Sequence, residues 1–508
     1  MSAKAARSHR HLGAGYHDHS IMRTSAAPEL LAHLPIDRRS KTPLHRQIYD
    51  GFRRAILGGM LRPGQRVPST RVLATELEIS RLPVLTAYEQ LLHEGYFEGR
   101  VGSGTYVCDI PPDVHLRAQP HPARTKAVAR GKPASARVPV GRDEGGVRPF
   151  RPTLPALDQF PYTVWTRIVA RQAHRLTPSD LAYGDPAGHG PLRGAIASYM
   201  RTARAVNCEG EDVLVTSGSQ AGLRISAAVV LARGDRVAME EPGYPGARAA
   251  FEAAGAKIVP IPVDGEGIDV DALSSIRQRV RAVYVTPSHH YPLGMAMSAA
   301  RRMALLDWAA RHDAWILEDD YDSEYRYVSR PLPALQGMDS RGRVIYIGTF
   351  SKVIFPSLRV GYLIVPRPLR ERFLDARDAF DICSSSLYQL ALTEFLNAGH
   401  FARHLRRMRG VYHRRRDALL IGLARHCDGL LTVANADAGL HVTTLMCDRR
   451  DDRAAVALLR AHGVTAAPLS LCYAGRGRRT GLLLGFGGFD ERALIAATRT
   501  LGETLRSG

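Results

Sequence analysis

A lysine next to a strongly apolar run is the first residue whose surroundings suggest chemistry. Lys352 follows RVIYIG (343–348) closely and stands between Phe350 and Val353. Burial among apolar side chains lowers the pKa of a lysine, and its neutral amine can form a Schiff base with a carbonyl compound. Arg359, seven residues further on, carries a guanidinium that stays charged and can bind a phosphate through two hydrogen bonds.

Two more motifs stand at the ends of predicted strands. Ser217-Gly218-Ser219-Gln220 follows DVLVTS and precedes a predicted helix over 221–232, whose first backbone N–H groups can bind phosphate. The acidic run 318–324 follows AWILE. A calcium loop beginning at Asp320 would need a glycine and a glutamate where Tyr325 and Pro331 stand, so no metal site is expected there. A carboxylate at a strand end can instead bind the protonated nitrogen of a pyridine ring.

The elements that carry these motifs predict an α/β fold. Helical stretches separate most of the apolar runs, which favours a mostly parallel seven-stranded sheet wrapped by helices, with ligands at the carboxyl ends of the strands. The three motifs lie at such ends and together call for a phosphate, a basic ring nitrogen and an aldehyde. Pyridoxal 5'-phosphate (PLP) has all three groups. The predicted strands cover 212–217, 235–240, 257–263, 281–286, 314–318, 343–348 and 360–365.

Nearly all of 150–508 resembles the fold-type I aminotransferases, through YGDPAGHGPLRGAIASYM, TSGSQAGL, EEPGYPG, TPSHHYPLGM, EDDYDSE and GTFSK in the family's order. The resemblance implies a Schiff base between PLP and Lys352, an ion pair of Asp319 with the ring nitrogen, and a hydroxyl of Tyr321 facing the ring oxygen. It implies that Tyr244 lies on or beside the ring. Ser351, Tyr291 and His290 are expected close by, without a firm role. The residues implied for the phosphate are Gly218, Ser219, Gln220, Thr349, Arg359 and, from a neighbouring subunit, Tyr183.

The segment 36–108 predicts three short helices and a hairpin, which make a winged helix-turn-helix. Leu44, Ile48, Phe52 and Ile56 form an apolar stripe on the first helix. Ser69 and Ser80 are expected to cap the second and third helices. The third is predicted over 81–94, with Val84, Leu85, Tyr88, Leu91 and Leu92 facing inward, and a hairpin over 96–107 follows.

Such a domain places the N-terminal residues of its third helix in the major groove of DNA. Arg81 is then expected at guanine edges, with Ser80 beside it, and Arg71 at a phosphate. The glycines at the hairpin tip let the backbone approach the minor groove, which adds Gly102, Gly104 and Thr105 to the predicted DNA-binding residues. A small helical domain that packs on another protein is the alternative.

RVPSTR, ISR with AYEQLLHEG, and GSGTYV resemble the DNA-binding domain of the GntR family of bacterial regulators. Leu82 and Pro83 stand where that family usually carries small polar residues, so the resemblance does not imply an operator sequence. Together with the aminotransferase-like region it indicates the MocR subfamily. That resemblance implies a head-to-tail homodimer, a double-stranded DNA operator, and PLP or an amino compound as effector.

The chain has 508 residues and a net charge of +20, which favours a polyanionic partner. We expect a disordered tail over 1–34, the DNA-binding domain over 35–109, a flexible linker over 110–148 and the PLP-binding domain over 149–508. The last is expected to divide into a large part, about 180–385, and a small part, about 386–508. The stretch 110–142 carries seven basic residues against one acidic residue, and it is either a solvated spacer or a tether to DNA phosphates. Translation could begin at Met1 or at Met22.

The six cysteines lie far apart and form no C-x-x-C pair, so they predict reduced thiols rather than disulfides or a zinc site. No apolar run is long enough to cross a bilayer and no secretory signal is visible, so a cytoplasmic bacterial protein is expected.

Two functions remain open from the sequence. One is a PLP-dependent transcriptional regulator with at most vestigial transaminase activity, and the other is a working aminotransferase with an accessory N-terminal module. Aminotransferases usually clamp the substrate α-carboxylate with an arginine before the last strand, where this chain has Leu482 and Leu483. Arg476, Arg478 and Arg479 lie just upstream as potential substitutes. A missing clamp would weaken both substrate binding and orientation.

Overall fold

The computed structural model describes residues 34, 36–109, 148–327, 333–448, 450–475 and 478–507. The expected tail, the linker, both candidate start methionines and Arg476 lie outside these residues, apart from Leu34 and Arg148 at the edges. The described chain falls into two compact units, which the linker separates in sequence. The domain boundaries proposed from the sequence stay predictions.

The N-terminal unit has three helices and a hairpin built around a small aromatic core. Phe52 and Tyr88 lie on the buried faces of the first and third helices, and Phe97 lies at the start of the hairpin. Their three rings meet edge to face, with ring centroids 5.2 to 5.4 Å apart. Glycines close the first and third helices and let the chain reverse at each end. The elements are α1 (Leu44–Leu57), α2 (Thr70–Glu76), α3 (Arg81–His93), β1 (Phe97–Arg100) and β2 (Gly104–Val107).

Two details of the third helix differ from the sequence-based expectation. Leu85 and Leu92 are exposed, while Ala87 takes an inward place beside Val84 and Leu91. The apolar stripe is narrower than predicted because α3 packs mainly against α1 and α2, which cover only one side of it. Ser80 is the N-cap residue, but its side chain makes no capping hydrogen bond, whereas the Ser69 hydroxyl accepts one from the Val72 N–H.

The C-terminal unit is an α/β body around an eight-stranded sheet of order β3-β10-β9-β8-β7-β4-β5-β6. All seven predicted strands are present, and a two-residue strand at its edge makes the eighth. The pairs joining β9, β8, β7, β4 and β5 are parallel, while β10 and β6 are antiparallel to their neighbours. The strands are β3 (Val213–Thr216), β4 (Arg236–Glu241), β5 (Lys257–Asp264), β6 (Gly267–Ile268), β7 (Ala282–Val285), β8 (Trp315–Asp320), β9 (Val344–Thr349) and β10 (Gly361–Ile364).

Helices cover both faces of this sheet, because its central strands are apolar on both sides. One core cluster packs α7 and α8 on one face, and another packs α9 and α10 on the opposite face. The helices in the order of the chain are α4 (Tyr162–Ala173), α5 (Pro178–Leu181), α6 (Gly190–Arg204), α7 (Ser219–Val230), α8 (Pro245–Ala253), α9 (Val270–Ser274), α10 (Ala299–Arg311), α11 (Leu335–Met338), α12 (Arg370–Asp381) and α13 (Ser386–Asn397).

The remainder of the chain forms a four-stranded antiparallel sheet of order β11-β12-β14-β13 with three helices. Phe150, from the beginning of the unit, reaches this sheet because its backbone bridges to Gly485. The elements are α14 (His400–His426), β11 (Leu431–Asn435), β12 (His441–Met446), α15 (Asp452–Ala461), β13 (Ala467–Pro468), β14 (Gly481–Gly485) and α16 (Glu491–Ser507).

The close packing of α14 against α16 gives a stability test with a matched control. A Cβ on Gly502 would lie 2.0 Å from the backbone oxygen of His426, whereas one on Gly410 meets only the end of the Arg414 side chain at 3.9 Å. We expect Gly502→Ala to lower the free energy of unfolding by about 1–3 kcal/mol, because the helices must move apart. Gly410→Ala should raise it by about 0.5–1 kcal/mol through helix propensity. Urea unfolding of both variants measures this, and equal effects would contradict the packing.

Candidate functional site

The site begins where two parallel strands end side by side. β8 and β9 pair so that Asp319 lies opposite Ile347 and Asp320 opposite Gly348. The register brings the acidic run to the same edge of the sheet as the turn that carries Lys352. This edge is where ligands bind in open α/β sheets, because loops and helix N-termini converge there.

Asp319 is buried and only half satisfied by the protein. Its Oδ2 accepts a hydrogen bond of 2.7 Å from the Tyr284 hydroxyl, whereas its Oδ1 has no partner among the described residues. Burial raises the pKa of Asp319 to about 7, against the opposing effect of the Tyr284 hydrogen bond. A buried carboxylate oxygen without a partner is costly, so this atom is suited to a charged N–H donor on a ligand.

Lys352 lies in the turn after β9 with its amine turned inward. The Nζ atom donates a hydrogen bond of 2.9 Å to Oγ1 of Thr153. Burial lowers the pKa of Lys352 to about 8, and the charges of Arg151 and Arg359 act in the same direction while Asp322 opposes them. A sizeable fraction of the amine is therefore neutral near pH 8, which is the form that attacks a carbonyl carbon.

The N-terminus of α7 and the guanidinium of Arg359 lie together at this edge of the sheet, next to the end of β3. Helix α7 begins at Ser219, two residues earlier than predicted, and Gly218 is its N-cap with φ +97°. Nη2 of Arg359 donates to the backbone oxygen of Ser217 at 2.8 Å. A Cβ on Gly218 would lie only 2.9 Å from that guanidinium, so glycine is needed for the close approach. The first N–H groups of a helix lack intrahelical partners, which makes this corner suited to an anion.

The other residues that the resemblance implies for the phosphate have separate surroundings. Gln220 is in the first turn of α7, and its Nε2 donates to the Tyr244 hydroxyl at 3.1 Å. Thr349 is buried at the end of β9, where its Oγ1 accepts a hydrogen bond from the Ser351 N–H at 3.1 Å. Tyr183 is 83% exposed on the described chain, so its predicted reach into a neighbouring subunit stays a prediction.

Tyr321 belongs to a buried network that sequence reasoning did not foresee. Nδ1 of His289 lies 2.8 Å from Oδ1 of Asp322 and 3.0 Å from the Tyr321 hydroxyl oxygen. Because a carboxylate only accepts, the proton belongs on Nδ1, and Tyr321 can only accept from the same nitrogen. The Tyr321 O–H is then left to donate to a ligand, which agrees with the role that the resemblance implies.

Tyr291 and His441 extend the aromatic wall that Tyr244, Tyr321 and His289 begin. The Tyr291 ring lies 5.2 Å from Tyr244 and 6.1 Å from Tyr321, measured between ring centroids. His441, the first residue of β12, lies 5.5 Å from Tyr291 and 5.3 Å from His289. The C-terminal sheet therefore contributes a side chain to the site, which no pattern in the sequence had indicated.

The structure does not supply an arginine at the position of the usual carboxylate clamp. Leu482 and Leu483 are both fully buried on β14. Arg478 and Arg479 are exposed and line a surface cavity with Asp448 and neighbouring residues that belong to no part of the site. These two arginines therefore lie outside the site, and Arg476, the third potential substitute, is outside the described residues.

The predicted DNA-binding residues lie at the starts of α2 and α3 and at the hairpin of the N-terminal unit. Nε of Arg81 donates to Oγ1 of Thr70 at 3.1 Å, which ties the start of α3 to the start of α2, where Arg71 is exposed. Leu82 is 70% exposed in the first turn of α3. Ser80 is exposed beside Arg81, and at the hairpin Gly102 and Gly104 are exposed while Thr105 is half-buried.

Two absences concern the described part of the chain alone. No group of three or more His, Cys, Asp or Glu side chains there is arranged to hold a metal ion. No described helix combines the length and apolar character that crossing a membrane requires.

Comparisons with known proteins agree with this architecture. Residues 157–481 match the family model "Aminotransferase class I and II", and residues 44–107 match "Bacterial regulatory proteins, gntR family". The chain is 40% identical to the probable rhizopine catabolism regulatory protein MocR of Rhizobium meliloti, over 92% of this chain and 95% of that protein. It is 34% identical to the pyridoxine biosynthesis transcriptional regulator PdxR of Corynebacterium glutamicum, over 94% of this chain and all of the relative.

Among solved structures, the α-aminoadipate aminotransferase LysN of Thermus thermophilus is similar with a TM-score of 0.67 and 28% identity. The similarity covers 72% of this chain and 93% of the enzyme, which was solved with N-(5'-phosphopyridoxyl)-L-leucine. A winged helix of GntR type thus precedes an aminotransferase fold within this one chain. The chain belongs to the MocR subfamily of GntR-type transcriptional regulators.

Proposed function

We propose that this regulator binds operator DNA through its winged helix and PLP through its aminotransferase-like unit, with PLP or an amino compound as effector. The observation that carries the proposal is the occurrence of an inward-facing Lys352 amine and the unpartnered Oδ1 of Asp319 at one strand edge. In a chain that also has a GntR-type domain, a ligand held there can alter DNA affinity if it favours one arrangement of the two units.

The residues at the strand edge fit PLP group by group. Asp319 Oδ1 would accept the ring-nitrogen proton, and Tyr321 would donate to the ring oxygen. The corner of Gly218, Ser219 and Arg359 would bind the phosphate, and Tyr244 would lie along the ring. When bound, PLP supplies an aldehyde that reacts with primary amines and a ring that withdraws electrons.

The residues of the site would then act on the ligand in different ways. Lys352 brings a partly neutral amine, and Thr153 Oγ1 fixes its direction. The pair of His289 and Asp322 holds a proton on Nδ1, so that the Tyr321 hydroxyl points its own proton away from them. Since Leu482 and Leu483 replace a carboxylate clamp, efficient transamination of ordinary amino acids is disfavoured.

Cofactor uptake tests the roles of Lys352 and Asp319. We expect the purified protein with PLP to show the visible absorption band of a lysine-linked cofactor. Lys352→Ala should lose this band, because the substitution removes the amine that faces the site. Asp319→Ala should weaken PLP binding without abolishing the band, since the phosphate contacts remain. Spectral titration measures both. Wild-type protein that stays colourless with added PLP would contradict the site.

The pH dependence follows from the same two groups. Burial raises the pKa of Asp319 to about 7, so the ionised form that a protonated ring nitrogen needs appears above that pH. Burial lowers the pKa of Lys352 to about 8, so the neutral amine accumulates as the pH rises through that value. The rate of PLP uptake by cofactor-free protein should therefore increase from about pH 6 to about pH 9. A small-molecule amine under the same conditions corrects for changes in PLP itself, and a rate that falls over this range would contradict the assignment.

DNA binding tests the winged helix separately. We expect specific retardation of the DNA upstream of the regulator's own gene, lost in Arg81→Ala because the guanidinium at the start of α3 is removed. Affinity should fall by roughly a thousandfold between about 50 and about 200 mM salt if about six phosphates are contacted. Glu89→Ala, an exposed α3 substitution that removes an acidic group, is the matched control and should keep specific binding. A flat salt response would contradict the proposal.

A further inference from the structure

A buried histidine beside the proposed ligand site has a ring nitrogen to which no described residue donates a hydrogen bond. His441 is only 2% exposed at the start of β12, and its Nε2 lies 3.2 Å from the backbone oxygen of Pro292. Its Nδ1 has no hydrogen-bond partner among the described residues. The Oγ1 of Thr443 donates to the same Pro292 oxygen, which therefore accepts from two side chains.

The hydrogen bond to Pro292 determines which ring nitrogen carries the proton. A carbonyl oxygen only accepts, so Nε2 of His441 must be the N–H donor. Burial lowers the pKa of His441 to about 4, and the neighbouring His289 acts in the same direction, so the ring is neutral at physiological pH. In a neutral imidazole with its proton on Nε2, the other nitrogen is a bare lone pair. Nδ1 of His441 is therefore a buried acceptor that lacks a donor.

His441 lies next to residues that also surround the proposed ligand site. Its ring lies beside Tyr291 and His289, and the charge of Lys352 is close enough to lower its pKa further. The charged groups facing it are Asp322, which opposes that effect, and Lys352. A buried acceptor without a donor is energetically costly, and a ligand N–H or O–H placed there would supply that donor.

We propose that Nδ1 of His441 accepts a hydrogen bond from a hydroxyl or N–H group of an amino-compound effector. This inference rests on the proposed function. The effector class is thus an amine with a neutral donor group, such as an amino alcohol, rather than an α-amino acid. Two features favour it: Leu483 stands in place of a clamp arginine on β14, and a lone pair repels a carboxylate. The guanidinium of Arg151 also acts on Lys352, so a carboxylate-bearing amine is the competing class in the test.

The experiment compares three amines on the PLP-loaded full chain. The probes are 3-aminopropan-1-ol, n-butylamine, in which a methyl group replaces the hydroxyl, and β-alanine. Binding is followed by the visible spectrum of the cofactor and by calorimetry. We expect the wild type to bind the amino alcohol about tenfold more tightly than butylamine, the equivalent of about 1.4 kcal/mol. The ratio of the two affinities within one protein cancels differences in folding or cofactor content.

Two variants assign that preference to the ring nitrogen. His441→Phe removes the acceptor and should reduce the ratio to about one. His441→Asn keeps an acceptor oxygen near the position of Nδ1 and should retain most of the preference. Equal wild-type affinity for the two amines, a ratio unchanged in His441→Phe, or tightest binding of β-alanine would overturn the inference while leaving the proposed function intact. Wild-type protein that takes up no PLP contradicts the proposed function itself, and the inference falls with it.

Discussion

The site depends on two ionisable groups that the fold shields from water. They are the amine of Lys352 and the carboxylate of Asp319, of which only one oxygen has a hydrogen-bond partner among the described residues. Asp319 is buried and Lys352 is half-buried, and the loss of water raises the pKa of Asp319 to about 7 and lowers that of Lys352 to about 8. Taking either charge out of water is costly, and Oδ1 of Asp319 in addition lacks a hydrogen-bond partner among the described residues. Such an arrangement is typical of a ligand site, where the bound molecule supplies the missing partners.

The sheet topology explains how residues far apart in sequence reach this constraint. Parallel pairing of β8 and β9 brings Asp319 and the Lys352 turn to one edge, and α7 begins at the same edge after β3. The segment around Thr153 comes from the beginning of the unit and hydrogen-bonds Lys352, because Phe150 pairs with Gly485. The C-terminal sheet adds His441. Four separate parts of the unit thus form one site, so its geometry depends on the whole body being folded.

Much of this could be predicted from sequence, because strands and strand-end motifs are local signals. The apolar runs predicted all seven main strands, and the winged helix followed from a helical stripe, caps and a glycine hairpin. Thr153 and His441 could not be predicted as site residues, since no ligand motif stands beside them in sequence and their contacts arise only from tertiary packing. Tyr284 stands two residues before TPSHHYPLGM, but nothing in that pattern indicates its hydrogen bond to Asp319. The exposure of Leu85 and Leu92 was missed for a similar reason: a helical stripe says which residues are apolar, not how widely the neighbouring helices cover them.

The most direct measurement is the location of the cofactor on the chain. Borohydride reduction of the PLP-loaded protein makes the lysine linkage permanent, and peptide mass spectrometry then identifies the modified residue. We expect one phosphopyridoxyl group per chain, on the peptide that contains Lys352. Modification spread over exposed lysines, or none on that peptide, would contradict it.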